Sequence, residues 1–248
     1  SDECGLMFPI IPANSAAASF PQNDEGIFGF GENAGGELSK TNLVSNAGVV
    51  SSDVTGVGTA RRFPAACEYG GDKGIFGFGY DGSSAVSITN LVSNTGVVST
   101  DQAATTGTAR SGLAACGYGG DKGIFAFDGY TNLVSNAGVV SSDVTQVGTA
   151  RTNPAACEYG GDKGIFGFGM SYVSMTNLVS NAGVIATDTA GVGTGRGYLG
   201  ACGYGEDKGI FGFGLVTGYA VTALSNLVSN VGVVATDVTG VGTARFKF

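Results

Sequence analysis

Five copies of one motif constrain this chain more than any other feature. Gly-Ile-Phe begins at residues 26, 74, 123, 164 and 209, so the starts lie 48, 49, 41 and 45 residues apart. Gly-Thr-Ala-Arg, or its variant Gly-Thr-Gly-Arg, begins at 58, 107, 148, 193 and 242, and the octet DKGIFGFG stands unchanged at 72–79, 162–169 and 207–214. A unit of this length cannot bury its own apolar face, so such units stack and share a core. The composition says which secondary structure they use. Of 248 residues 45 are glycine, and glycine in a helix interior costs about 1 kcal/mol relative to alanine. Abundant Val, Thr and Phe favour pleated, half-buried surfaces instead.

Each copy offers four short candidate strands separated by turn signals: AACEY, KGIFGFG, NLVSN with its lead-in, and GVVSSDVTGVGT. A four-stranded unit written five times predicts an all-β fold, a five-bladed β-propeller of four-stranded antiparallel blades. The blades fall at about 16–61, 62–110, 111–151, 152–196 and 197–245 in one domain spanning 16–248, after an extended tail at 1–15. The first copy spells its inner strand weakly, at 16–21. The structural rival is an open solenoid of stacked hairpins. YGGDKG and the SNAG, SNTG and SNVG tetrapeptides place Gly, Asn and Asp where tight turns need positive φ. The small Ala-Ala-Cys strand suits the crowded position beside a narrow axis, and the Ile-Phe pairs suit packing between blades.

The unit R..(P/L)AAC.YGGDKGIFGFG......TNLVSN, over residues 16–245, resembles the kelch repeat, in which an Arg-led inner strand precedes a second strand ending in glycines. The kelch Gly-Gly pair is here Gly-Phe-Gly, and the fourth-strand Trp is absent. The units are also similar to glycine-rich GIFGFG and TNLVSN repeats of phage and bacterial proteins. That resemblance implies a virion or extracellular-surface setting. In blade count the chain is similar to five-bladed lectins of the tachylectin type.

The chemistry of the chain closes several routes. A net charge of −8 without any basic block repels a phosphate backbone, so nucleic acid is not an expected partner. No apolar run approaches the roughly 20 residues of a bilayer span, and no signal peptide is visible, so the expectation is a chain kept in a cytoplasm or one already freed of a leader. There is no histidine, which removes the commonest general base and the usual nucleophilic triads. No catalytic residue, metal site or cofactor is expected. Asp53, Asp101, Asp143, Asp188 and Asp237 recur once per copy and read as turn-capping residues rather than calcium ligands, because no local run supplies several oxygens. Cys67, Cys116, Cys157 and Cys202 occupy one repeat position and read as small apolar residues rather than a soft-metal ring, while Cys4 lies in the tail. Arg61, Arg110, Arg151, Arg196 and Arg245, with Lys73, Lys122, Lys163 and Lys208, read as structural partners of the recurring Asp.

Function is expected on one face. In a four-stranded blade the connections after strands one and three emerge together, and here they are nearly invariant. The connections after strands two and four emerge at the other end and differ in every copy. Binding residues concentrate on such loops when a rigid scaffold carries them. Phe63, Tyr80, Tyr130, Tyr172, Tyr198 and Tyr219 fall on or near this variable face and are the candidate binding residues. The expected function is a non-enzymatic structural or adhesive module that binds a protein assembly partner or surface receptor. The alternative is a lectin binding a glycan on or between blades, although the chain has no Trp to stack on a sugar. In the tail, Leu6, Met7, Phe8, Ile10 and Ile11 between prolines form an apolar, non-helical segment that suits a groove, either on its own propeller or on a neighbouring subunit.

Overall fold

The computed structural model describes residues 24–102 and 107–247, and these are all-β, built from small antiparallel sheets. Repeats two to five, bounded as above, each contain the same three-stranded core. It runs Ala65–Tyr69, Lys73–Gly77 and Thr89–Val92 in repeat two, and Ala114–Tyr118, Lys122–Phe127 and Tyr130–Val134 in repeat three. Repeats four and five repeat it as Ala155–Tyr159, Lys163–Gly167 and Thr176–Val179, then Gly200–Tyr204, Lys208–Gly212 and Ser225–Val228. Repeat one shows Gly26–Gly29 paired with Thr41–Val44. The inner strand expected at 16–21, the tail 1–15 and Cys4 lie outside the described residues. None of the described residues forms a helix long and apolar enough to cross a membrane.

The burial pattern follows from the sequence. Along Ala65–Tyr69, Ala65, Cys67 and Tyr69 are buried and the residues between them half-buried, the period of two expected of a strand with one packed face. In Lys73–Gly77 every residue after the lysine is buried. This middle strand is covered on both faces, which is why its sequence is an unbroken apolar and glycine run.

The fourth strand departs from expectation. Only repeat three pairs it as a strand, through Val144–Thr145, whereas elsewhere it is reduced to single bridges such as Val92↔Val98 and Thr89↔Gln102. Each such pair of bridges spaces three residues on one side against four on the other, so one extra residue bulges outward. The ladder is completed by side chains. The Asn90 amide donates to the carbonyl of Ser99 at 3.0 Å, and the Leu91 N–H donates to the Ser99 hydroxyl at 3.0 Å. A bulge re-aims a side chain, and here it turns the recurring Asp toward the preceding repeat.

Successive repeats stack with their Ala-Ala-Cys strands side by side. The Cys67, Cys116 and Cys157 thiols fit against the first glycine of the next Gly-Ile-Phe. A Cβ on Gly209 would stand 2.6 Å from Cys157 Sγ, so the cysteine fills the space the glycine leaves open. Phe78, Phe127 and Phe168, the second Phe of each strand, hold φ of 61°, 79° and 62°. This costs of order 1–3 kcal/mol for a bulky residue. The conformation swings each ring onto the first Phe of the next repeat, with Phe78 to Phe125 at 5.2 Å and Phe168 to Phe211 at 5.2 Å. Phe125, Phe127, Phe166, Phe168 and Phe211 are completely buried. Burial of an aromatic pair at each junction offsets the backbone cost.

Candidate functional site

The two ends of the sheets are built differently. At one end the Gly-Gly-Asp hairpins meet the SN-x-G loops: the Asn94 amide donates to Asp72, Asn136 to Asp121 and Asn181 to Asp162. The hairpins also cross to the next repeat, because the N–H of Gly70, Gly119 and Gly160 donates to the carbonyl of Asp121, Asp162 and Asp207 at 2.7 Å each. Gly119 sits at φ 64°, and a Cβ there would meet the carbonyl oxygen of Asn181 at 2.9 Å. No other residue fits both demands. The lysines expected to pair with the recurring Asp bond instead to their own neighbours, Lys163 to Asp162 at 2.9 Å and Lys208 to Asp207 at 2.7 Å, because the Asp-Lys step closes the hairpin.

Between the two ends runs a buried chain of polar contacts that ties each repeat to the next. Arg151 lies over the Phe127 ring at 4.0 Å and donates to Asn177 Oδ1 of the following repeat at 2.7 Å. Arg61 joins Phe30 to Asn90 in the same way. Burial pulls the Arg61 and Arg151 guanidiniums down to about 10, which still leaves both charged. The recurring Asp accepts from the preceding Gly-Thr: Asp188 takes the Thr149 N–H at 2.9 Å and its hydroxyl at 2.6 Å, and Asp237 takes those of Thr194 at 2.9 and 2.7 Å. Burial opposes charge on Asp188 and Asp237. The hydroxyl, amide and N–H bonds outweigh it and hold both carboxyls below the ordinary range. The aspartates therefore cap a turn of the neighbouring repeat, with the arginines 3.5–3.8 Å away in three junctions. Asp53 of repeat one pairs with Lys40 instead and is half exposed.

At the opposite end stand the sequence-predicted candidates. The bridges Arg62↔Tyr80 and Gly197↔Leu215 show that the connections after strands two and four share this end. Phe63, Tyr172, Tyr198 and Tyr219 hold left-handed φ of 53°, 53°, 54° and 62°. Tyr219, at the tip of the ribbon formed by Leu215–Val216 and Ala220–Val221, is 76% exposed and packs edge-on to Tyr172 at 6.4 Å. The Tyr172 hydroxyl is buried without a hydrogen-bond partner. Tyr80 lies under the Arg62 guanidinium at 4.8 Å, and Arg62 also pairs with Glu32 and Glu37 at 2.8 and 3.1 Å. Tyr130 belongs to a strand rather than to the loop before it, opening Tyr130–Val134 opposite Phe127.

Sequence reasoning missed residues beside these. The position two after the recurring Arg is Phe63, Gly112, Asn153, Tyr198 and finally Lys247, all with positive φ. From Gly112 onward their backbones form a hydrogen-bonded series, with Asn153 N–H donating to Gly112, Tyr198 to Asn153 and Lys247 to Tyr198. The Lys247 ammonium stands 5.9 Å from the Tyr198 ring, 5.9 Å from Phe246 and 5.7 Å from Phe63, the first of the series. Aligning the closing FKF with the RFP, SGL, TNP and GYL tripeptides would have exposed this equivalence. Among the described residues no group of three or more His, Cys, Asp or Glu is placed to hold a metal ion. Burial pushes the Cys157 thiol up to about 12, so it sits as a neutral thiol. No family model and no curated protein matches the chain.

Proposed function

We propose that the chain is a non-enzymatic binding module whose variable-loop end engages a protein partner or surface receptor. One observation carries the reading: aromatic residues are held in strained left-handed conformations where packing does not require them. The buried Phe78, Phe127 and Phe168 offset the same strain with core contacts, whereas Phe63 and Tyr198 are half-buried and Tyr219 is largely exposed. Strain maintained at a surface without a core benefit is a mark of function. Repeat three puts glycine at the Phe63 position, as Gly112, so the fold itself does not ask for an aromatic there.

The scaffold of this reading is a single kelch-like propeller of five blades, residues 16–248. The Lys247 contact supports it, since one side chain near the end of the chain touches both the Tyr198 and Phe63 members of an otherwise sequential series. A catalytic role has no visible machinery. The chain lacks histidine, and Asp188 and Asp237 are committed to Thr and Asn donors. A virion or cell-surface assembly is the setting such a module fits.

A photo-crosslinking side chain at Tyr219, compared with one at Val139 on the invariant end, tests the reading in the assembly from which the chain derives. Adducts from position 219 alone support it. Adducts from position 139 alone overturn it. The exposed Tyr219 ring also favours a second reading, glycan stacking, and a glycan array that reports binding by the native chain and loss in Tyr219→Ser would replace the first.

A further inference from the structure

The inner strands carry Glu68, Gly117, Glu158 and Gly203 at one repeat position, the residue after the recurring cysteine. Large and absent side chains alternate. The carboxyls of Glu68 and Glu158 meet over Gly117. A Cβ on Gly117 would stand 3.0 Å from Glu68 Oε1 and would fall onto Glu158 Oε1. Glycine in repeat three is therefore what lets repeats two and four touch. Two carboxyl oxygens can hydrogen-bond only if one of them carries a proton. Among the described residues no cation offsets the pair: the charged groups acting on it are each other and Asp162, which already has Lys163, and the adjacent Cys67, Cys116 and Cys157 thiols are neutral.

We propose that Glu68 and Glu158 share a single proton and form a clasp that ties repeat two to repeat four across repeat three, and that opens when the proton leaves. Glu68 is the donor. Burial, then the negative charge of Glu158, pushes its carboxyl well above the ordinary range; burial raises Glu158 as well, against the opposing effect of Glu68. The pair titrates as a unit. A carboxyl raised on folding stabilises the fold fully below its unfolded value, about 4.3, and that contribution is lost as pH rises through the folded value. The clasp is closed in mild acid and strained above it, the opposite of an ordinary buried Asp salt bridge.

Infrared difference spectra and thermal unfolding on the full chain, taken from mild acid to mild alkali, test the clasp. At about pH 5, above the ordinary glutamate value of about 4.3, the native chain shows the carbonyl band of a protonated carboxylic acid, and Glu68→Gln lacks it. The native Tm falls as pH rises from about 4.3 toward the folded value of the pair, the window in which the unfolded chain has lost a proton that the folded chain keeps. Glu68→Gln, whose amide donates at any pH, removes that fall. Absence of the carboxylic band from the native chain at about pH 5 overturns the proposal, as does a pH-dependent fall of equal size in Glu68→Gln. Should Glu68→Gln not fold, the band in the native chain and its loss in Glu158→Gln decide the matter.

Discussion

The two ends of the sheets use the same kind of residue for opposite purposes. At the invariant end positive φ belongs to glycine except at Glu206 in the last hairpin, and Gly70, Gly119 and Gly160 each bring a backbone N–H within 2.7 Å of the next repeat. At the variable end positive φ is occupied by Phe63, Tyr172, Tyr198 and Tyr219, and the rings stand at or near the surface. The first arrangement removes strain to gain a junction. The second accepts strain to present a side chain. Stability and recognition are thereby placed at opposite ends of one scaffold.

The largest way to break this division lies in the junctions themselves. Asn177→Ala removes one acceptor of a buried guanidinium that keeps Phe168, Thr149 and Asp188, and a hydrogen bond to a charged group contributes about 1.5–3 kcal/mol. A drop in Tm of about 5–10 °C is expected for a chain of this size, read by thermal unfolding. Gly119→Ala should come next. Its left-handed φ and the Asn181 carbonyl at 2.9 Å make the added methyl cost about 1–3 kcal/mol, seen as a lower denaturant midpoint. Tyr219→Ser, at a 76% exposed tip, should change stability by no more than about 0.5 kcal/mol while weakening capture of the partner or glycan.

How far these roles were legible in the sequence follows from what repetition encodes. Gly-Ile-Phe and Gly-Thr-Ala-Arg returned in register, so the all-β class, the strand positions and the two unlike ends could be read directly. The fourth strand could not. Its GVVSSDVTGVGT reads as a strand by composition, but Asn90 and Ser99 replace the ladder with side-chain bonds that no period-two pattern reveals. The cysteines were recognisable as small apolar residues, yet the glycine that Cys67, Cys116 and Cys157 each fill lies in the next repeat, about 50 residues away in a strand of its own. Of the candidate face, the aromatic identities were visible and their left-handed backbones were not, since glycine and asparagine occupy the same position in Gly112 and Asn153. The Glu68 and Glu158 pair was spelled in the alternation of AACEY and AACGY, but its meaning needs the distance across Gly117.

The measurement that tests the division most directly is thermal unfolding of the triple variant Phe63→Gly, Tyr198→Gly, Tyr219→Gly. Glycine relieves a left-handed cost of about 1–2 kcal/mol per residue and adds about 0.5–1 kcal/mol of chain entropy to be lost on folding, so the terms nearly cancel. The account predicts a Tm within a few degrees of the native chain together with loss of partner or glycan capture. A fall as large as that of Asn177→Ala would contradict it, by showing that these aromatic residues hold the fold together rather than face a partner.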